Sequence, residues 1–328
     1  MSILQVAGLI VLFLVLYGVF LVSCERQIIY HPYKFPDGYW NPASVQAEDV
    51  HFSSSDGVRL HGWYVASTGA TATMLWFHGN AGNLTHRMDN IEMLKPLGIN
   101  IFIFDYRGYG KSEGAPDEAG IYLDSQAAYD WLVNVKKIPP RKIILFGRSL
   151  GGICAIEIAA KNPAGGLILE SVFPSARKMA RKIFPFLPLG WIIKSRFDAI
   201  AKVPGLKLPK LFLHGTRDEI VPYEMGRELF AAAAEPKTFY DIEGAGHNDT
   251  YMVGGAAYFD ALGRFIQNAV PAGTAPARST AACPTRWRWL GTPPAKHWLW
   301  PGRRRRCAGV AYRRSRSKSR PVPSPSPL

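Results

Sequence analysis

The stretch Gly147-Arg148-Ser149-Leu150-Gly151 narrows the possible folds more than any other part of this 328-residue chain. It follows the apolar run Ile143-Ile144-Leu145-Phe146 and leads into the small-residue segment Gly152-Ile153-Cys154-Ala155-Ile156. A serine between two glycines, entered from a buried strand and left through a helix, is a nucleophile elbow. The spacing has a physical reason. The turn holds its serine in strained backbone geometry, so the flanking positions need residues without side-chain bulk. The helix that starts just after Ser149 aims its free N–H groups at any oxyanion formed there. Ser149 is therefore the candidate nucleophile. A glycine-rich turn with an incidental serine is the plainer alternative, and the strand-to-helix context weighs against it.

A serine nucleophile needs a base, an acid that orients the base, and an oxyanion hole. After an elbow of this kind the acid comes next in the chain and the histidine last. Leu211-Phe212-Leu213-His214-Gly215 reads as a buried strand, and Asp218 lies just past its carboxyl end, the edge where open α/β sheets bind ligands. Lys237 to Ile242 reads as a final strand, and His247 sits on the loop Gly244-Ala245-Gly246-His247-Asn248-Asp249 that follows it. Upstream, Thr73 to Phe77 reads as a strand ending in His78-Gly79-Asn80-Ala81-Gly82-Asn83, where the second oxyanion donor belongs. The backbone N–H groups of Asn80 and Leu150 are the candidate hole. Glu170, at the end of Gly166-Leu167-Ile168-Leu169, is an alternative acid one strand earlier; Asp218 fits the usual position and is favoured. His78 precedes both serine and acid and reads as a loop-organising residue. Arg148 points either to substrate or to a salt bridge, and the sequence does not decide between them.

These motifs together resemble the Bem46/ABHD13-like group of α/β-hydrolases, within the serine hydrolase superfamily. The resemblance runs in order over most of residues 26 to 270. It begins at Gln27-Ile28-Ile29-Tyr30-His31-Pro32, takes in the His78 to Asn83 loop and Tyr106-Arg107-Gly108-Tyr109-Gly110-Lys111-Ser112-Glu113-Gly114, and ends at the loops holding Asp218 and His247. It implies a Ser149, Asp218, His247 triad and an N-terminal membrane anchor, and it implies no particular substrate. The activity expected is hydrolysis of an ester, thioester or amide of a small-molecule or lipid acyl substrate, with no metal or organic cofactor. The alternative is a non-catalytic scaffold of the same fold that binds anionic membranes through its cap and tail; the intact order of triad residues argues against it.

Alternation of strands and helices predicts an α/β class chain with a mostly parallel sheet between helix layers. Glu48 to Ser53 and Val58 to Val65 read as a leading antiparallel pair, and the last helix places Tyr258, Leu262, Phe265 and Ile266 on one face. Residues 26–270 are ample for one hydrolase domain. A cap is expected at about 172–204, where Phe173, Phe184, Phe186, Leu187, Leu189, Trp191 and Ile192 mix with Arg177, Lys178, Arg181, Lys182, Lys194 and Arg196. It reads equally as a basic amphipathic lid near a membrane and as an ordinary cap with its aromatics inward.

Residues 1–25 hold the uncharged apolar run Ile3 to Val22, about twenty residues and enough to cross a bilayer as a helix. Leu21-Val22-Ser23-Cys24 also resembles a bacterial lipobox, in which Cys24 would be lipidated; either route leaves the body on a membrane. Arg26 and Lys34 follow the span and would keep the body cytoplasmic by charge, whereas the lipobox argues the opposite side. Of the formal charge of +14, +13 resides in residues 271–328, which hold thirteen of the 39 Lys and Arg and no acid, leaving +1 for the rest. That tail reads as disordered, and its Trp287, Trp289, Trp298 and Trp300 among arginines and prolines suggest a frameshifted end. A nucleic-acid partner is not expected. The four cysteines form no disulfide framework and no zinc spacing.

Overall fold

The computed structural model describes residues 2–185 and 193–271. The expected cap residues Phe186, Leu187, Leu189, Trp191 and Ile192, and the basic tail from residue 272, lie outside the described residues. Short apolar runs bounded by glycine, proline and asparagine form the strands Ala47–Ser53 (β1), Arg59–Val65 (β2), Thr73–Phe77 (β3), Asn100–Asp105 (β4), Ile143–Arg148 (β5), Gly166–Glu170 (β6), Lys210–Gly215 (β7) and Lys237–Ile242 (β8). They make one sheet in the order β8-β7-β6-β5-β3-β4-β2-β1. The leading pair β1 and β2 is antiparallel, β2 is antiparallel to β4, and the remaining neighbours run parallel. The chain leaves β3 for β4 on one side and returns for β5 on the other. At such a switch the loops diverge and open a crevice at the carboxyl ends of the strands.

The helices are Ile3–Ser23 (α1), Glu25–Ile29 (α2), Met88–Leu94 (α3), Glu118–Asp130 (α4), Leu150–Lys161 (α5), Ala176–Ile183 (α6), Ala199–Lys202 (α7), Tyr223–Ala232 (α8) and Thr250–Ala269 (α9). Strand side chains alternate between faces, so each central strand feeds two cores. Leu75, Phe77, Phe102, Phe104 and Leu145 pack with Ile121 and Ala128 of α4 and Ile153 and Ile156 of α5. Met74, Trp76, Ile101, Ile103 and Phe146 pack on the other side with Ile91 of α3 and with Tyr258, Leu262 and Ile266 of α9. Asp117 caps α4 by accepting from the Gly120 N–H at 2.7 Å. Past Asp130 the chain continues as a π-helical turn, Trp131–Val135. In α1, Ile3–Leu21 has a mean hydropathy of 2.6 and is almost wholly exposed. Among the described residues it is the one helix long and apolar enough to cross a membrane.

One charged cluster lies inside this apolar frame. Arg107, just past β4, donates from Nε and Nη2 to Asp124 at 3.0 and 2.8 Å, and from Nη1 and Nη2 to Asp56 at 2.8 and 3.0 Å. The Arg107 backbone N–H adds a bond of 2.7 Å to Asp124, whose side chain has no solvent exposure. Burial pushes the Asp124 carboxyl up, and the Arg107 hydrogen bonds pull it back toward the ionised form. Arg107→Met strands that carboxylate. Chemical denaturation should report a loss of about 3 kcal/mol or more, and Arg107→Met with Asp124→Leu should recover part of it. An Arg107→Met protein as stable as the parent would contradict this account.

Candidate active site

The elbow is built by backbone packed on backbone. Ser149 has φ 51° and ψ −122°, a region that costs a non-glycine residue on the order of 1–3 kcal/mol. Neighbours hold it there. The Ser149 N–H donates to the Glu170 carbonyl at 2.9 Å, and the Gly152 N–H donates back to the Ser149 carbonyl at 2.9 Å. A β-carbon on Gly151 would overlap the Phe77 carbonyl, and one on Gly147 would overlap the Gly151 carbonyl. The glycines at these two positions therefore allow the first turn of α5 to press onto the ends of β3 and β5. The loop after β3 lies alongside: a β-carbon on Gly79 would stand 3.7 Å from the Ser149 Cβ. Among the described residues, no protein group accepts from the Asn80 N–H, which follows, or from the Leu150 N–H.

Asp218 and His247 are brought together. His247 Nδ1 lies 2.8 and 3.0 Å from the two Asp218 carboxylate oxygens, and both residues are buried. The Ile220 and Val221 N–H groups donate to Asp218 Oδ1 at 3.0 and 2.8 Å, so the turn after β7 fixes the carboxylate before the histidine reaches it. Burial alone would raise the Asp218 carboxyl, but the His247 hydrogen bond and charge and the Val221 N–H outweigh it, and its pKa is lowered. The loops are tied to each other as well. The Arg217 N–H donates to the Ala245 carbonyl at 2.9 Å, and the His247 N–H donates to Glu219 at 3.0 Å.

Glu170 has other partners. Thr250 Oγ1 and the Tyr258 hydroxyl donate to it at 2.5 and 2.7 Å, and Arg148 Nε forms an ion pair with it at 3.3 Å. The same arginine donates from Nη2 to the His247 carbonyl and, at 3.2 Å, to Asn248 Oδ1. Arg148 thus makes a salt bridge and clamps the histidine loop to the residue preceding Ser149. His78 is fully buried, with Nδ1 2.7 Å from the Gly79 carbonyl and its ring 4.7 Å from that of Tyr106; it organises its loop.

Two features have no counterpart in the sequence reading. His214, buried in β7, lies behind the acid: its Nε2 donates to the Val221 carbonyl at 2.9 Å and stands 3.4 Å from Asp218 Oδ2. Burial lowers its pKa, which disfavours the charged ring. Its place four residues before Asp218, at the end of the apolar run Leu211-Phe212-Leu213, is the only sequence signal. The other feature is the segment after α1, which pairs His31 with Ala81 and Pro32 with Gly82 in a short parallel ladder. Cys154, one turn into α5, is no rival nucleophile, since complete burial pushes its thiol up to about 12.

A family described as alpha/beta hydrolase fold matches residues 72–192. The protein bem46 of Schizosaccharomyces pombe is 35% identical over 268 residues, covering 75% of this chain and 87% of that protein. The alpha/beta hydrolase domain-containing protein WAV2 of Arabidopsis thaliana is 37% identical over 245 residues, covering 68% of this chain and 80% of its own length. Among solved structures, the Pyrococcus furiosus esterase Pf2001 superposes with a TM-score of 0.61 at 25% identity, covering 73% of this chain and 98% of that one.

Because the pKa of Asp218 is lowered in the folded chain, its ionised form stabilises the fold above the ordinary aspartate range near 3.9. That contribution is lost as pH falls through the lowered folded value. Melting temperature measured against pH should therefore drop less steeply on the acid side in Asp218→Asn than in the parent. An unchanged acid limb would rule out this coupling.

Proposed function

The chain belongs to the Bem46-like α/β-hydrolases, and from that membership we propose that it is a membrane-tethered serine hydrolase with Ser149, Asp218 and His247 as its triad. The reading is carried by one observation: Asp218 is hydrogen-bonded to His247, and the loop that bears His247 is clamped by Arg148 to the strained turn at Ser149. In this mechanism the neutral His247 ring takes the Ser149 hydroxyl proton at Nε2 while Oγ attacks a carbonyl carbon. Asp218 keeps the other proton on Nδ1 and stabilises the imidazolium. The carbonyl oxygen becomes an oxyanion held by the Asn80 N–H on the loop after β3 and the Leu150 N–H at the start of α5. Collapse expels the alcohol, thiol or amine, which leaves with the proton from His247, and an acyl group remains on Ser149. Water, deprotonated by His247, then releases the acid and restores the serine.

The substrate class is an ester, thioester or amide, and the esterase named among the structural relatives favours an ester. The catalytic body spans residues 26–270, with α1 as its tether. In support, α1 is apolar and exposed over the length of a bilayer core.

A fluorophosphonate probe should label the folded protein at Ser149, and Ser149→Ala should lose on the order of 10⁶ in kcat. Asp218→Asn should cost roughly 10⁴ in kcat by presenting the wrong imidazole tautomer, and Glu170→Gln far less. An active Ser149→Ala enzyme would sink the serine assignment, and reversed penalties at the two acids would move the triad one strand earlier. In vesicle flotation the full chain should rise with the lipid and stay there in alkaline carbonate; recovery in the soluble fraction counts against the tether.

A further inference from the structure

The residues between α1 and the sheet are stitched to both sides of the candidate site. At their start Glu25 is buried, and its carboxylate accepts from the Lys194 and Ser195 N–H groups at 2.8 and 2.7 Å. Leu21, in the last turn of α1, packs with Ala180 of α6 and with Phe184 and Ile193. Tyr30 is buried edge-on to Phe197, with ring centroids 6.3 Å apart. Beyond it lies the ladder to Ala81 and Gly82, continued by the Tyr33 N–H donating to the Gly82 carbonyl at 3.1 Å. The Ile29 carbonyl accepts from the Asn80 side-chain amide. The other end of that amide accepts from the Tyr109 hydroxyl at 3.0 Å. A carbonyl on one side and a hydroxyl on the other fix which way the amide is turned.

We propose that the Asn80 side chain is a positioning group for the oxyanion hole, and that residues 25–33 form a strap that supports it. Resting on the reading that the Asn80 N–H receives the oxyanion, the inference makes the chain leaving α1 part of the catalytic apparatus. The loop from His78 to Gly82 has no regular structure of its own up to the ladder. The direction of its free N–H is set by what holds the residue that bears it. Asn80 is held from both sides, by the Ile29 carbonyl and by Tyr109, and Gly79 before it lies against Ser149. A donor of this kind contributes only if it already points at the place where charge develops.

The test uses the full chain in detergent with a short p-nitrophenyl ester. Asn80→Ala should lower kcat by about 10- to 100-fold, less than complete loss of a donor, with KM changed less than kcat. Inhibition by an alkyl boronic acid, whose tetrahedral adduct places an oxygen in the hole, should weaken in the same proportion. Tyr109→Phe should cost less by itself and nothing further in the Asn80→Ala background, because both act through one amide. Should Asn80→Ala fold poorly, Asn80→Asp keeps the size and the Tyr109 partner but sets an acceptor against the Ile29 carbonyl, and it should show the same loss.

A parental kcat in Asn80→Ala or Asn80→Asp overturns the proposal, as do simply multiplicative effects of Asn80→Ala and Tyr109→Phe. So does a fall in melting temperature with unchanged boronate affinity. Ser149→Ala run in parallel separates the two levels. If it abolishes turnover while the Asn80 variants remain fully active, only the strap is refuted; if it remains active, the serine reading itself has failed.

Discussion

Everything at the candidate site depends on how closely α5 approaches the ends of β3 and β5. With a side chain at Gly147 or Gly151 the helix would have to stand off from the sheet. Ser149 would then lose the carbonyl of Glu170, which accepts from its N–H. Strain of a few kcal/mol at one residue is tolerated because two large apolar clusters are packed behind it. The positive end of α5 points in consequence at the spot where an attacking serine would generate negative charge.

The two carboxylates at the ends of β6 and β7 show how similar sequence positions acquire different roles. Asp218 meets a histidine ring and two backbone donors in a tight turn, which favour its ionised form. Glu170 meets a threonine, a tyrosine and an arginine, and all of its bonds tie structural elements together. Through Arg148 it fixes the loop bearing His247, so it serves the site without touching the histidine side chain.

Strands and their order of use were legible because the central ones are apolar runs ended by residues that break strands. Thr73–Phe77, Gly166–Glu170 and Lys237–Ile242 fall where the pattern places them. Loop chemistry at strand ends singled out Ser149, Asp218 and His247, and the fold sets Asp218 against His247. The strap was not. A two-residue ladder at His31 and Pro32 has no periodicity, α2 is only five residues long, and Glu25 has the composition of a surface acid although it is buried against backbone donors. Its carboxylate ties it to the backbone of Lys194 and Ser195. In sequence the preference for Asp218 over Glu170 rested on position alone, because the partners that distinguish the two carboxylates lie 29 to 88 residues away.

Those separations also govern when such a site can come into being. The Ser149 turn needs the Phe77 end of β3, the backbone of Glu170, and, through Arg148 and Glu170, residues of α9 as late as Tyr258. During synthesis the serine emerges from the ribosome some hundred residues before the last of its supports. A nascent chain therefore carries Ser149 without the supports of its turn, which are complete only once α9 has docked.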